Sequence, residues 1–195
     1  MKAKKIKLPL QEEVIKELRS GDRLLLSGTL YTARDAAHKR LLEALARGEE
    51  LPFQIKGQVI YYVGPTPPPP GKIIGSAGPT TSSRMDTLTI PLLERGLMGM
   101  IGKGGRSEEV KKALQKYGAL YLAAAGGAGA FLSKKIKSAL VVAYKDLGPE
   151  AIYQLEVEDF PVVVINDIHG GDLYEEGKAR YARENKNNFK PLFLF

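Results

Sequence analysis

Apolar and polar residues along this chain alternate between two rhythms. Residues 4–10 read as a short strand and lead into a helix over 11–19, with Val14, Ile15 and Leu18 on one face. After the Gly21-Asp22 turn, residues 23–30 (RLLLSGTL) form a strong apolar strand. Thr32-x-x-Asp35 fits a capping box and opens a helix to about Arg47, with Ala37, Leu41 and Leu45 as its stripe and Gly48 as its stop. Residues 58–63 (QVIYYV) are a strand. Strand, helix, strand then follow at 97–101, 107–116 (capped by Ser107) and 119–124, with Val110 and Leu114 facing inward. A short helix ends near Lys137, and three more strands are expected at 139–144, 152–158 and 162–166. The segment from Asp172 reads as a charged helix that then frays. This order predicts a mixed α/β domain with more than one sheet layer.

Two interruptions stand out. Residues 64–71 (GPTPPPPG) are too proline-rich for helix or sheet, so they make a stiff connector or the wall of a site. Gly78-Pro79-Thr80-Thr81-Ser82-Ser83-Arg84-Met85-Asp86 then gathers four hydroxyls and a guanidinium in a turn before a helix start. Ser83-x-x-Asp86 fits a second capping box. Free backbone N–H groups, hydroxyls and Arg84 together suit a carboxylate or phosphate. Arg34 begins a helix, where a cation is unfavourable unless it is solvated or meets an anion, and His38 lies one turn on. The turn Gly102-Lys103-Gly104-Gly105 lets backbone approach a ligand and adds a point charge. It fails as a Walker loop, because Leu97 and Gly104 occupy required Gly and Ser/Thr positions. Gly126 to Ala130 lacks the third glycine of the Rossmann fingerprint and reads as close packing between helix and strand. His169 sits in a loose Asp/His/Asp stretch, 167–172, that turn chemistry explains.

Composition narrows the chemistry. The 195 residues fit one large domain, at 1–185 with a tail at 186–195. There is no cysteine, which excludes disulfides and thiolate-held metal sites in this chain. No metal site is expected here. Lys and Arg exceed Asp and Glu by 29 − 22 = 7. The basic residues are scattered and lack aromatic interleaving, which argues against nucleic acid and for an anionic substrate or acidic partner. No apolar run approaches the roughly 20 residues that span a bilayer. The basic start is followed by no apolar core of a leader, so a cytoplasmic protein is expected.

Four segments carry a family resemblance: Thr32-Ala-Arg-Asp-Ala-Ala-His-Lys-Arg40, Gly78 to Asp86, Met100-Ile-Gly-Lys-Gly104 and Glu156-Val-Glu-Asp-Phe-Pro161. Their order and spacing resemble the β region of the iron–sulfur hydro-lyases, the class I fumarate hydratases and L(+)-tartrate dehydratases, over residues 5–185. Two departures are visible. Ser83 stands where the family has Gly, and the 167–172 stretch differs, so His169 inherits no role.

The resemblance implies a swivelling β/β/α domain with mixed sheets and flanking helices. It implies that the chain is the β subunit of a two-subunit enzyme that hydrates fumarate to (S)-malate. A cysteine-bearing α subunit would hold a 4Fe–4S cluster, and the pair would form a higher oligomer. Arg34, Arg84 and Lys103 match dicarboxylate-binding positions. Thr80 matches the base that takes the C3 proton, with Thr81 as the fallback. Asp35, His38, Thr81 and Asp86 would support them. An L(+)-tartrate dehydratase β subunit is the alternative within the family. A non-enzymatic anion-binding module is the alternative outside it, and a basic RNA-associated protein the third.

Overall fold

The computed structural model describes residues 2–188, with side chains through residue 182. Its elements are β1 (Lys4–Lys7), α1 (Glu12–Glu17), β2 (Arg23–Thr32), α2 (Asp35–Ala46), β3 (Val59–Tyr61), α3 (Asp86–Glu94), β4 (Gly99–Gly102), α4 (Glu108–Tyr117), β5 (Leu120–Ala123), α5 (Gly129–Ser133), β6 (Ile136–Ala143), β7 (Ile152–Asn166) and α6 (Leu173–Asn188). Short 3-10 turns cover Ser82–Met85 and Lys145–Glu150. The expected frayed tail beyond Asn188 lies outside the described residues.

The strands make one mixed sheet of seven, in the order β1-β2-β3-β4-β5-β7-β6. This replaces the several sheet layers expected from the sequence. The cause is the length of β7. The two strands expected at 152–158 and 162–166 are one fifteen-residue strand that runs straight through Asp159, the residue at φ 48°. β7 is therefore long enough to pair with β2, β5 and β6. The β2–β7 pairing closes a circuit through β3, β4 and β5, so the sheet curls back on itself.

Alternation along the strands then divides the core in two. Val59, Tyr61, Val63, Ile101, Leu120 and Leu122 point to the inner cluster, which Leu26, Leu30, Leu155 and Phe160 complete. Ile60, Tyr62, Met100 and Tyr121 point to the other face, where they meet Leu41 of α2, Leu92 of α3 and Leu114 of α4. Each fully buried leucine here contributes about 2 kcal/mol.

Both expected capping boxes are absent. The Thr32 hydroxyl donates to Ala151 O (3.2 Å) and accepts from Tyr153 N–H (2.9 Å), because β2 carries on to Thr32 and tertiary pairing claims its side chain. Arg34 takes the N-cap position of α2 without a side-chain cap bond. Likewise Ser83 caps nothing, because a 3-10 turn precedes α3 and Asp86 is turned toward α4. The Ser107 cap is present, accepting from Val110 N–H at 3.4 Å, and Gly118 closes α4 in the left-handed region. No described helix is long and apolar enough to cross a membrane.

Candidate functional site

Arg34 stands where β2 hands over to α2, and its carbonyl is tied down twice. It accepts the backbone N–H of His38 at 2.8 Å and lies 2.9 Å from His38 Nδ1. His38 is fully buried, its ring edge-on to Tyr62 at 5.3 Å. This corrects the option of a surface histidine. Burial pushes its pKa down to about 4, so the ring is neutral at pH 7 and Nδ1–H donates to Arg34 O.

The hydroxyl turn is fixed by backbone pairing with its neighbours. Thr80 N–H donates to Tyr62 O at 2.8 Å, Lys103 N–H to Thr80 O at 3.1 Å, and Ser82 N–H to Lys103 O at 2.9 Å. Residues 80–82 thus lie along the end of β4 as a short parallel bridge between Thr81 and Lys103. The glycine at 102 permits this, since a Cβ there would stand 1.9 Å from Ser82 Oγ. Ser82 is buried on Tyr121 OH at 2.8 Å, whereas Thr80 is half-exposed and Thr81 exposed.

These elements bring the two candidate arginines to one carboxylate. Asp35 Oδ2 lies 3.2 Å from an Arg84 terminal nitrogen and 3.9 Å from Arg34 Nε. The Arg84 nitrogen also donates to Thr80 Oγ1 at 2.8 Å. On the far side, Arg34 pairs with Glu150 Oε1 at 3.2 Å. The result is a chain of alternating charge, Glu150–Arg34–Asp35–Arg84, that ends on the Thr80 hydroxyl. Two carboxylates match two guanidiniums. Lys103 is anchored beside Thr80 by its backbone, is exposed, and forms no ion pair among the described residues. Arg34 Nε is buried and makes no hydrogen bond among the described residues.

Asp86 stands apart from this chain. It is buried and receives Arg106 Nε at 2.6 Å and Ser107 N–H at 2.8 Å. Arg106 also reaches Thr89 Oγ1 at 3.1 Å and Tyr62 OH at 3.3 Å. Asp86 thus bears on the site indirectly, through Arg106 and the two tyrosines it touches: the Tyr62 carbonyl holds Thr80, and the Tyr121 hydroxyl holds Ser82. Sequence reasoning missed both Arg106 and Glu150. Arg106 stands just before the Ser107 cap of a charged helix and reads there as surface, and Glu150 lies after a Gly-Pro turn far from any motif.

The other sequence features fall elsewhere. The loop at 64–76 folds back on itself through Thr66 and Ser76. Its later residues, among them Ile73 and Ile74, wall an apolar groove of about 470 Å³ with Ala130 and Ile136, while Gly64 at its start lies against Arg34. Gly129 packs against the neighbouring turn and accepts Ala77 N–H at 3.1 Å. Around His169, Asp167 Oδ1 accepts the backbone N–H groups of His169 and Gly171 at 2.8 and 2.9 Å, which is turn chemistry. Among the described residues, no three His, Cys, Asp or Glu side chains are grouped to hold a metal.

Known proteins give this geometry a context. The sequence profile of the family described as "Fumarase C-terminus" matches residues 1–177. The aerobic class I fumarate hydratase of Escherichia coli K12 is 45% identical over 156 residues, which are 79% of this chain and 28% of that protein. The mitochondrial fumarate hydratase 1 of Leishmania major is 43% identical over 170 residues, 84% of this chain and 31% of the relative. A protein of Methanocaldococcus jannaschii named putative L(+)-tartrate dehydratase subunit beta is 39% identical over 184 residues, 91% of this chain and 94% of its own length. The chain thus spans under a third of these fumarate hydratases and nearly all of the tartrate dehydratase subunit. By its profile match and by these relatives, the chain belongs to the fumarase C-terminus family.

Proposed function

We propose that this chain is the β subunit of a two-subunit, cytoplasmic class I fumarate hydratase. It would supply the dicarboxylate-binding wall of an active site completed by a cysteine-bearing α subunit. One observation carries the reading. Arg34 and Arg84, from separate segments, converge on a single carboxylate oxygen beside the Thr80 hydroxyl. Asp35 occupies the place where a substrate carboxylate would compete for the same donors. Arg34 Nε is buried and makes no hydrogen bond among the described residues, its contact with Asp35 being a 3.9 Å ion pair, so the donor suits a closer anionic acceptor.

The chain has no cysteine, so it does not itself fit a 4Fe–4S cluster. The cluster would be held by the α subunit, where its open iron would act as a Lewis acid. What this chain's residues do follows from their charge. Removing a proton beside a carboxylate builds a dianion, and Arg34, Arg84 and Lys103 stabilise that charge as it develops. Thr80 is a poor base alone. The Arg84 donor on its Oγ1 lowers the cost of negative charge there. Arg84 and Lys103 are exposed and Arg34 is partly buried beside Asp35, which fits a site finished by a second chain and closed by a swivelling motion of this domain.

The test is reconstitution with the cysteine-bearing subunit. The pair should hydrate fumarate, the chain alone should not, and Thr80→Val should lower kcat about 100-fold or more with little change in KM. Turnover by the isolated, cluster-free chain would refute the half-site. The near full-length match to the tartrate dehydratase subunit supports the second reading, in which L-tartrate is turned over faster than fumarate. An inactive pair that still binds dicarboxylate would point to an anion-binding module.

A further inference from the structure

Glu150 belongs to none of the sequence motifs, yet each of its carboxylate oxygens has a separate task. Oε1 lies 3.2 Å from the Arg34 guanidinium. Oε2 accepts the N–H of Ala36, in the first turn of α2, at 3.0 Å. One side chain thereby caps α2 from outside and fixes the arginine at its N-terminus.

The segment bearing Glu150 is itself held. Asp146 pairs with Arg40 one turn further along α2, and Arg40 lies 5.2 Å over the Tyr144 ring. The Thr32 hydroxyl bonds both Ala151 and Tyr153. Beside the guanidinium, a Cβ at Gly64 would stand 2.6 Å from an Arg34 terminal nitrogen and 3.3 Å from Pro149 O. Arg34 is thus confined between the chain leaving β3 and the Pro149-Glu150 corner, and its side chain is 24% exposed. Arg84 has no such enclosure and is 45% exposed.

We propose that Glu150 is the positioning residue for Arg34: it presets the guanidinium for a substrate carboxylate, while Arg84 is left free to adjust. The inference rests on the functional reading above. An arginine long enough to occupy many rotamers loses binding power unless its ordering is achieved before substrate arrives. Glu150 acts through Arg34 and does not touch the reacting atoms.

Two measurements decide it. The first needs no activity. Phenylglyoxal labelling of the whole chain, read residue by residue by mass spectrometry, should rise several-fold at Arg34 in Glu150→Gln and Glu150→Ala and stay constant at Arg84. Unchanged Arg34 labelling in variants whose melting shows them folded overturns the proposal.

The second uses the reconstituted pair. Glu150→Gln should lower kcat/KM about 10- to 100-fold, with Glu150→Asp recovering part of it. In an Arg34→Ala background the same change should cost less than about twofold, because the two residues act as one unit. A full penalty in that background would make Glu150 a helix cap and nothing more. A fall in KM would make it a competitor for the arginine, and either result overturns the proposal. If the wild-type pair turns over neither fumarate nor L-tartrate, the functional reading falls, and the labelling still decides what Glu150 does to Arg34.

Discussion

Arg84 and Asp86 are two positions apart, yet their charges sit in opposite environments. Asp86 is nine-tenths buried against Arg106, whose side chain is wholly covered and bonded to Asp86, Thr89 and Tyr62. Arg84 is 45% exposed and shares Asp35 with Arg34. The difference comes from the turn between them. The 3-10 turn Ser82–Met85 ends as α3 begins, which swings Asp86 inward and leaves Arg84 outside. A buried pair is held by its low-dielectric surroundings and by every bond that satisfies it, so it locks α3 to α4. An exposed pair is worth about 0–1 kcal/mol, so its partner can be exchanged for a ligand at little cost. The same two chemical groups therefore serve as a rivet in one place and, under the proposed function, as a receptor in the other.

The comparison can be broken in order of size. Arg106→Ala leaves the Asp86 carboxylate buried and unpaired, and should cost about 3–5 kcal/mol in urea unfolding. A loss near that of a surface pair would mean that the buried network locks nothing. Arg84→Ala should leave unfolding within about 0–1 kcal/mol. In the reconstituted pair it should lower kcat/KM by about 10²–10³. A variant that melts early while keeping its turnover would reverse the two roles.

Acidification gives a third and smaller handle. His38 has its pKa depressed from 6.5 to about 4 by burial. Between those values the unfolded chain binds a proton that the folded chain refuses. Stability from this group is complete above pH 6.5 and declines as pH falls to about 4, by on the order of 3 kcal/mol. His38→Gln should flatten that stretch of the urea profile. Persistence of the same slope in the variant would place its origin in other groups.

Much of the scaffold was legible residue by residue. The 3.6-residue stripes at Ala37, Leu41 and at Val110, Leu114 both enter the cluster under the helices. The run at 58–63 alternates between the two cores as a strand must. Ser107 caps where expected, since the distant partner Asp86 takes its backbone N–H and leaves its hydroxyl to the helix. Thr32 and Ser83 fit the same pattern and fail. Thr32 is taken by β7, and Ser83 lies in a tighter turn. Local capping rules hold only where no distant partner competes for the capping side chain. Of the site, Arg34, Thr80, Arg84 and Lys103 were visible as charges and hydroxyls in glycine- and turn-rich segments, and the structure brings the two arginines to Asp35 and Arg84 to Thr80.

By itself, the sequence determined the strand and helix periods, the turn that carries the hydroxyls, the absence of thiolate ligands and the family. These are local or compositional properties, written in neighbouring residues. Only the tertiary structure decided that one long strand closes the sheet, that Asp86 faces Arg106 while Arg84 faces Asp35, and that Glu150 reaches Arg34. Each of those depends on burial and on pairing between distant segments, which no local pattern of residues encodes.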